Sequence, residues 1–358
     1  MLKHFKKRSL KNVCLQIYVF SIYHFLVLSM YKVFYTILFS FLIISCSNTN
    51  SSKENAVLSQ PPYDKLTDSI EQSPTNDQVY FRRGTLLYTN EEINLAQKDI
   101  EKAWQLNPNE QYALRLTTIL KQKNSDSAIS FLQQALQKLP NSISLKIMLA
   151  KGYESKNQLE KTLAICDEII AQYPGEIDAL LLKSEILKQQ NRDAEALAIL
   201  EKAYLIAPGD VDLVHQLAFD YAEAKNPKVL SLCDSLIKAD VEQRHAEPYY
   251  FKGLYFENTG NYDKAISLFD VAIGHDFNFL DAYMDKGQSF FEQKKYADAA
   301  KTFQLATTVF TTEALPYYWL GKSQEAMGMK NEAKLNYERA YGLDKTLTDA
   351  KDAANRLK

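Results

Sequence analysis

The sequence predicts an all-α fold, a solenoid of about eight helix-turn-helix repeats, and three observations predict it. One pattern is written three times between Ala246 and Leu347. It runs as Tyr249, Gly253, Phe256, Ala265, Phe269 and Ala272, then Tyr283, Gly287, Phe290, Ala299, Phe303 and Ala306, then Tyr317, Gly321, Gln324, Ala333, Tyr337 and Ala340. The glycines step by 34 residues, from 253 to 287 to 321, and a period of about 20–50 residues marks a repeat array. Within one copy, Tyr249, Gly253 and Phe256 lie at i, i+4 and i+7 on one helical face, and Ala265, Phe269 and Ala272 do so on a second. Prolines at 108, 140, 174 and 208 step by 32, 34 and 34 residues upstream, each closing a second helix that Pro cannot continue.

The elements follow in order. Gly260-Asn261 separates the two helices of the first copy as a turn. Small residues at 253, 265 and 272 let the helices approach closely, while the aromatics fill the space between neighbouring pairs. The succession of bulky residue, Gly or Ala, aromatic, Ala, aromatic, Ala resembles the tetratricopeptide repeat family. That resemblance implies a right-handed α/α superhelix, strong over 246–279, 280–313 and 314–347.

Weaker copies precede these three. Residues 77–108 carry Tyr80, Gly84, Leu87, Ala96, Ile100 and Ala103. Residues 109–142 carry Ala128, Leu132 and Ala135, with a first helix expected to be short and lacking the glycine. Residues 143–176 carry Ala150, Tyr153, Thr162 and Cys166, and residues 177–210 carry Leu180, Ser184, Leu187, Ala196, Leu200 and Ala203. In 211–245, Asn226-Pro227 stands where the turn belongs and one residue is inserted before the next repeat, so a local change of pitch is expected there. Residues 348–358 read as a capping helix over the last repeat, whose outer face has no neighbour.

Composition fits an ordered helical body. Of 358 residues, 46% are hydrophobic and 24% charged, with only 11 Gly and 10 Pro, which excludes a loop-rich all-β or disordered chain. The net charge of −2 hides a segregation. Residues 1–45 hold six basic residues and no acidic one. Beyond them 36 basic stand against 44 acidic residues, a net of −8. An acidic body excludes nucleic acid as partner, since phosphate binding needs clustered Lys and Arg. Cys166 and Cys233 fall at matching second-helix positions two repeats apart, too far for a disulfide, and read as small core residues.

The amino-terminal stretch predicts export. Residues 1–12 are basic, residues 13–45 are nearly all apolar, and the run ends Leu42-Ile43-Ile44-Ser45-Cys46. That ending resembles the lipobox of bacterial lipoproteins, which implies cleavage before Cys46 and lipid attachment to it. A signal peptide of 45 residues is long, since about 15–30 is usual. A start at Met30 would leave Met30-Tyr31-Lys32 as the basic region and Val33–Ile44 as the apolar core. Residues 13–31 as an uncleaved single membrane span is the alternative. Residues 46–76, rich in Ser, Asn and Pro, are expected to be a disordered tether. Ser47 after the cysteine points, by resemblance to enterobacterial sorting, to the outer membrane facing the periplasm.

No catalytic motif occurs, neither His-Glu-x-x-His, nor a phosphate-binding Gly loop, nor Gly-x-Ser-x-Gly. His215, His245 and His275 have no metal-ligand spacing, so no enzyme, cofactor or metal is expected. Function is therefore expected from a groove. The family resemblance assigns the inward face to first-helix residues: Glu247, Tyr250, Phe251, Leu254 and Glu257, then Asp281, Asp285 and Phe291, then Tyr318, Trp319 and Lys322, with Met284, Glu292 and Glu325 among the intervening positions. Aromatic and acidic side chains together predict a protein or peptide partner with basic and apolar side chains. A chaperone tail carboxylate, which the family clamps with Lys and Asn, is excluded by Tyr250, Phe251, Leu254, Met284 and Asp285 at those positions. Two alternatives stand beside this reading. The aromatics could pack between helices, or they could stack cell-wall carbohydrate.

Overall fold

The computed structural model describes residues 54–240, 242 and 244–357. Every regular element among the described residues is helical. The chain divides into two compact units at Gly152-Tyr153. The expected signal peptide, the alternative start at Met30 and the expected lipid-bearing Cys46 lie outside the described residues.

The first unit begins with helix α1 (Asp64–Gln72), then α2 (Asp77–Thr89), α3 (Ile93–Leu106), α4 (Glu110–Lys123), α5 (Ser125–Lys138) and most of α6 (Ile143–Glu154). Helix α1 corrects the expected tether, because residues 54–58 and 64–72 are helical rather than extended. The sequence of α1 is polar, but its few apolar residues are placed to be covered. Tyr63 and Ile70 are buried, and the Asn90 amide donates to the Tyr63 hydroxyl at 2.7 Å. Arg83 of α2 then ties three elements together. It forms a forked pair with Asp99 of α3 at 2.7 and 2.8 Å and donates to the Thr67 hydroxyl at 2.9 Å. Both charged partners are buried, so removing either one would strand the other.

Helix α4 also departs from expectation. It is not short but 14 residues long; the turn is what contracts. Asn124 alone separates α4 from α5, its side chain accepting from the amides of Asp126 and Ser127 as an N-cap.

The second unit holds α7 (Leu159–Gln172), α8 (Ile177–Gln189), α9 (Asp193–Ile206), α10 (Val211–Glu223), α11 (Lys228–Ala239), α12 (Glu247–Asn258), α13 (Tyr262–His275), α14 (Leu280–Glu292), α15 (Tyr296–Val309), α16 (Ala314–Ala326), α17 (Lys330–Leu343) and α18 (Thr348–Arg356). Each first helix folds back on its second through a tight turn, and the turns share one conformation. Glu91, Asn157, Asn191, Lys225, Gly260, Lys294 and Gly328, all at the same repeat position, have positive φ. The residue after each donates its amide five residues back, as Asn261 does to the Phe256 carbonyl at 2.7 Å, which ends the first helix in a left-handed cap. The 211–245 repeat keeps this turn at Lys225-Asn226. Its extra length lies between α11, ending at Ala239, and α12, starting at Glu247.

Gly253, Gly287 and Gly321 each lie under a second-helix aromatic. A methyl group at Gly253 would stand 2.6 Å from Phe269, one at Gly287 2.4 Å from Phe303, and one at Gly321 2.9 Å from Tyr337. Cys166 and Cys233 are free and buried, and burial pushes both thiols up to about 12. Helix α18 closes the unit, laying Ala350, Ala353 and Ala354 against Tyr317, Tyr337 and Ala340.

Candidate interaction groove

The predicted inward residues sit on the first helices α12, α14 and α16, and the structure divides them into two clusters. Polar bonds between successive first helices build the acidic one. The Tyr250 hydroxyl of α12 donates to Asp285 of α14 at 2.8 Å, and Ser289 of α14 donates to Glu257 of α12 at 2.9 Å. Upstream, the Asn258 amide donates to Glu223 at 3.1 Å and to the Ala222 carbonyl at 3.2 Å. Burial pushes the Glu257 carboxyl up to about 7, with the charge of Asp285 and then Glu223 and Glu292 adding to the effect. Asp285 rises to about 6 for the same first reason; Tyr250 holds it down, while Asp281 and Glu223 oppose its ionisation. Asp281 itself is exposed at the rim, and Glu247 is half-buried with its carboxylate 3.9 Å from His245.

The second cluster is aromatic. Phe291 of α14 and Tyr318 and Trp319 of α16 are half-buried. The Lys322 ammonium lies 3.9 Å from the Trp319 ring centre, 5.4 Å from Phe291 and 5.8 Å from Tyr318. Beside it opens a cavity of about 440 Å³, walled also by Glu325, Tyr337 and the α18 residues Asp349, Asp352 and Arg356.

Three predicted residues belong to neither cluster as contact surface. Tyr250, Phe251 and Leu254 are each only 7% exposed. Phe251 packs edge-on against His215 and Phe219 of α10, and the Tyr250 ring against Phe269 and Phe279. The expectation of exposed aromatics on α12 is thus corrected. These rings fill the seam where one first helix meets the next, and only the Tyr250 hydroxyl reaches the polar cluster. A carbohydrate platform correspondingly loses two of its rings. Glu223, Ser289 and Phe219, which is 41% exposed, join the face without having been singled out. Carrying the inward positions back into the 211–245 repeat would have found Phe219 and Glu223. Asp349, Asp352 and Arg356 carry no repeat signal, because they belong to the cap.

Among the described residues no group of His, Cys, Asp or Glu is placed to hold a metal ion, and no helix is long and apolar enough to cross a membrane.

Comparison with known proteins agrees with this architecture. Residues 120–186 match one family model described as tetratricopeptide repeat, and residues 177–210, 246–275 and 314–347 match a second with the same description. The chain therefore contains tetratricopeptide repeats. It is similar in fold to a tetratricopeptide repeat protein from Parabacteroides merdae, at 16% identity and a TM-score of 0.55, covering 69% of this chain and 98% of that one. That likeness shows the solenoid fold. YrrB, described as a tetratricopeptide repeat protein with an unusual peptide-binding site, aligns at 20% identity with a TM-score of 0.39, over 52% of this chain and 95% of its own. No curated protein sequence matches the chain.

Proposed function

We propose that the protein is a non-enzymatic adaptor that binds a protein or peptide segment along the first helices of its last repeats. The partner carries basic and apolar side chains. One observation carries this reading: Glu257 and Asp285 are held partly desolvated beside Glu223, Asp281 and Glu292, with no Lys or Arg among the described residues bonded to either. Carboxylates that raise one another's pKa gain most from a cation brought by a ligand. Phe219 and the Phe291–Trp319 pair flank the acidic patch and supply apolar contact. The test uses peptides with alternating basic and apolar residues, titrated against the full chain. The double variant Asp281→Lys/Glu292→Lys changes two rim side chains and is expected to weaken binding about tenfold. Unchanged affinity would remove the groove assignment.

The reading includes anchoring in a bacterial envelope through lipid on Cys46, with the repeats facing the periplasm. The lipobox-like ending at Cys46 and the polar residues after it support this. Intact mass of membrane-extracted protein is expected to show a chain beginning at Cys46 with added acyl mass, absent in Cys46→Ala. A chain retaining residues 13–45 would make it a single-span protein instead.

A further inference from the structure

We infer that Phe291, Tyr318 and Trp319 form a cage for the guanidinium of an arginine side chain on the partner, and that Lys322 is a built-in competitor for it. This names one subsite of the groove proposed above and rests on that reading for the arginine's source.

The geometry is that of a floor and two walls. Phe291 meets the Trp319 ring at 79° with centroids 5.6 Å apart, and Tyr318 meets it at 76° and 6.2 Å. Trp319 is braced by the fully buried Phe303, stacked against it at 23° and 5.8 Å. Rings set this way direct their electron-rich faces and π density at one point, and a cation within about 6 Å of such faces is attracted to them. All three ring centres lie within that reach of the Lys322 ammonium, so the site already holds a cation.

Lys322 makes no ion pair among the described residues, although Glu325, Asp349 and Asp352 line the same cavity. Glu325 is taken by Arg356, at 3.0 Å to each oxygen, and by the Tyr337 hydroxyl at 2.8 Å. Asp349 and Asp352 of α18 remain as acceptors at the rim. A lysine lying on rings three and four residues earlier in its own helix is held weakly, since an exposed contact of this kind shifts an equilibrium by about two- to five-fold. An arginine suits the place better. Its guanidinium is planar, less hydrated than an ammonium, stacks on Trp, and donates as a fork to carboxylates such as those at the rim.

The sign of the Lys322 effect separates this from the simpler idea that Lys322 contacts an anionic partner. The chain has two tryptophans, so Trp104→Phe leaves Trp319 as the sole reporter. N-acetyl-arginine amide is titrated into the full-length Trp104→Phe protein, with N-acetyl-citrulline amide as the neutral match. Saturable change in Trp319 emission is expected with the arginine probe alone. Lys322→Met, at a half-buried surface position, is expected to tighten it about two- to five-fold, and Phe291→Leu to weaken it. Circular dichroism melts confirm that each variant is folded.

Three outcomes overturn the inference: equal response to citrulline, unchanged or weaker arginine binding in Lys322→Met, and saturation by a neutral oligosaccharide instead. The probe carries no peptide, so its result is independent of the Asp281/Glu292 test. Loss of peptide binding with an intact arginine response would sink the groove alone.

Discussion

The repeats at 246–347 and those at 177–245 are built on the same backbone but solve one contact differently. Where the first helix meets its second, the later repeats pair glycine with a ring: Gly253 with Phe269, Gly287 with Phe303, Gly321 with Tyr337. The earlier ones place Ser184 and Leu200, or Ala218 and Cys233, at these positions, and Ser184 donates to the Ala196 carbonyl at 2.9 Å. Between the glycine–ring pairs and Ser184 with Leu200, one member grows as the other shrinks, so a similar volume is divided differently, as a close-packed interior requires. Ala218 with Cys233 is a smaller pair than either. The regular repeats look strongly patterned because aromatic rings can only be matched by glycine. The earlier ones look degenerate because non-aromatic pairs of different sizes occupy the crossing.

The largest expected effect probes the ring. Phe303 is fully buried and also braces Trp319, so Phe303→Ala should cost about 3–5 kcal/mol in chemical denaturation. Next comes a swap between the two solutions. Leu200→Phe opposite Ser184 should cost about 1–3 kcal/mol by overfilling, and adding Ser184→Gly should recover most of it. A double variant no better than Leu200→Phe alone would break the volume-trading account.

The same two regions differ in charge at one inward position. Lys188 in the earlier region reaches the buried Asp220 at 2.5 Å, whereas the matching Glu257 has carboxylates around it. Glu257 titrates near 4.5 when unfolded and about 7 when folded. Its contribution is therefore fully present below pH 4.5 and lost as pH rises through 7. Glu257→Gln should stabilise the protein at pH 8, on the order of 1 kcal/mol after solvent screening, and flatten the stability loss between pH 4.5 and 7. Equal pH profiles for the two proteins would show that the patch is solvated. The smallest effect lies in the turns. Lys294 holds φ 60 where Gly260 and Gly328 hold φ 80. Relief of left-handed strain, less the added freedom of the unfolded chain, leaves Lys294→Gly a gain of about 0.5 kcal/mol in melting experiments.

Legibility followed range along the chain. Helix pairs, the closing prolines and the Gly260 turn were readable because each depends on neighbours within one repeat. The prolines at 108, 140, 174 and 208 each stand two residues past a helix end. The turns at Lys225 and Lys294 were silent, since no residue type announces a left-handed lysine; repetition forces it there. Helix α1 was hidden by its polar composition, and its order comes from Arg83 and Asn90, which lie well beyond it in sequence.

By itself, then, the sequence determined the helical hairpins, their number and the face each presents, because a period of 34 residues and local spacing encode them. Tertiary structure alone decided which inward residues are surface. Tyr250 and Phe251 share that face with Trp319, yet α10 and the neighbouring rings cover the first two while Trp319 stays half-buried against Phe291, Tyr318 and Lys322, which line an open cavity walled by the cap. Helical spacing sets a direction for a side chain. Only the neighbouring repeat sets how much water remains there.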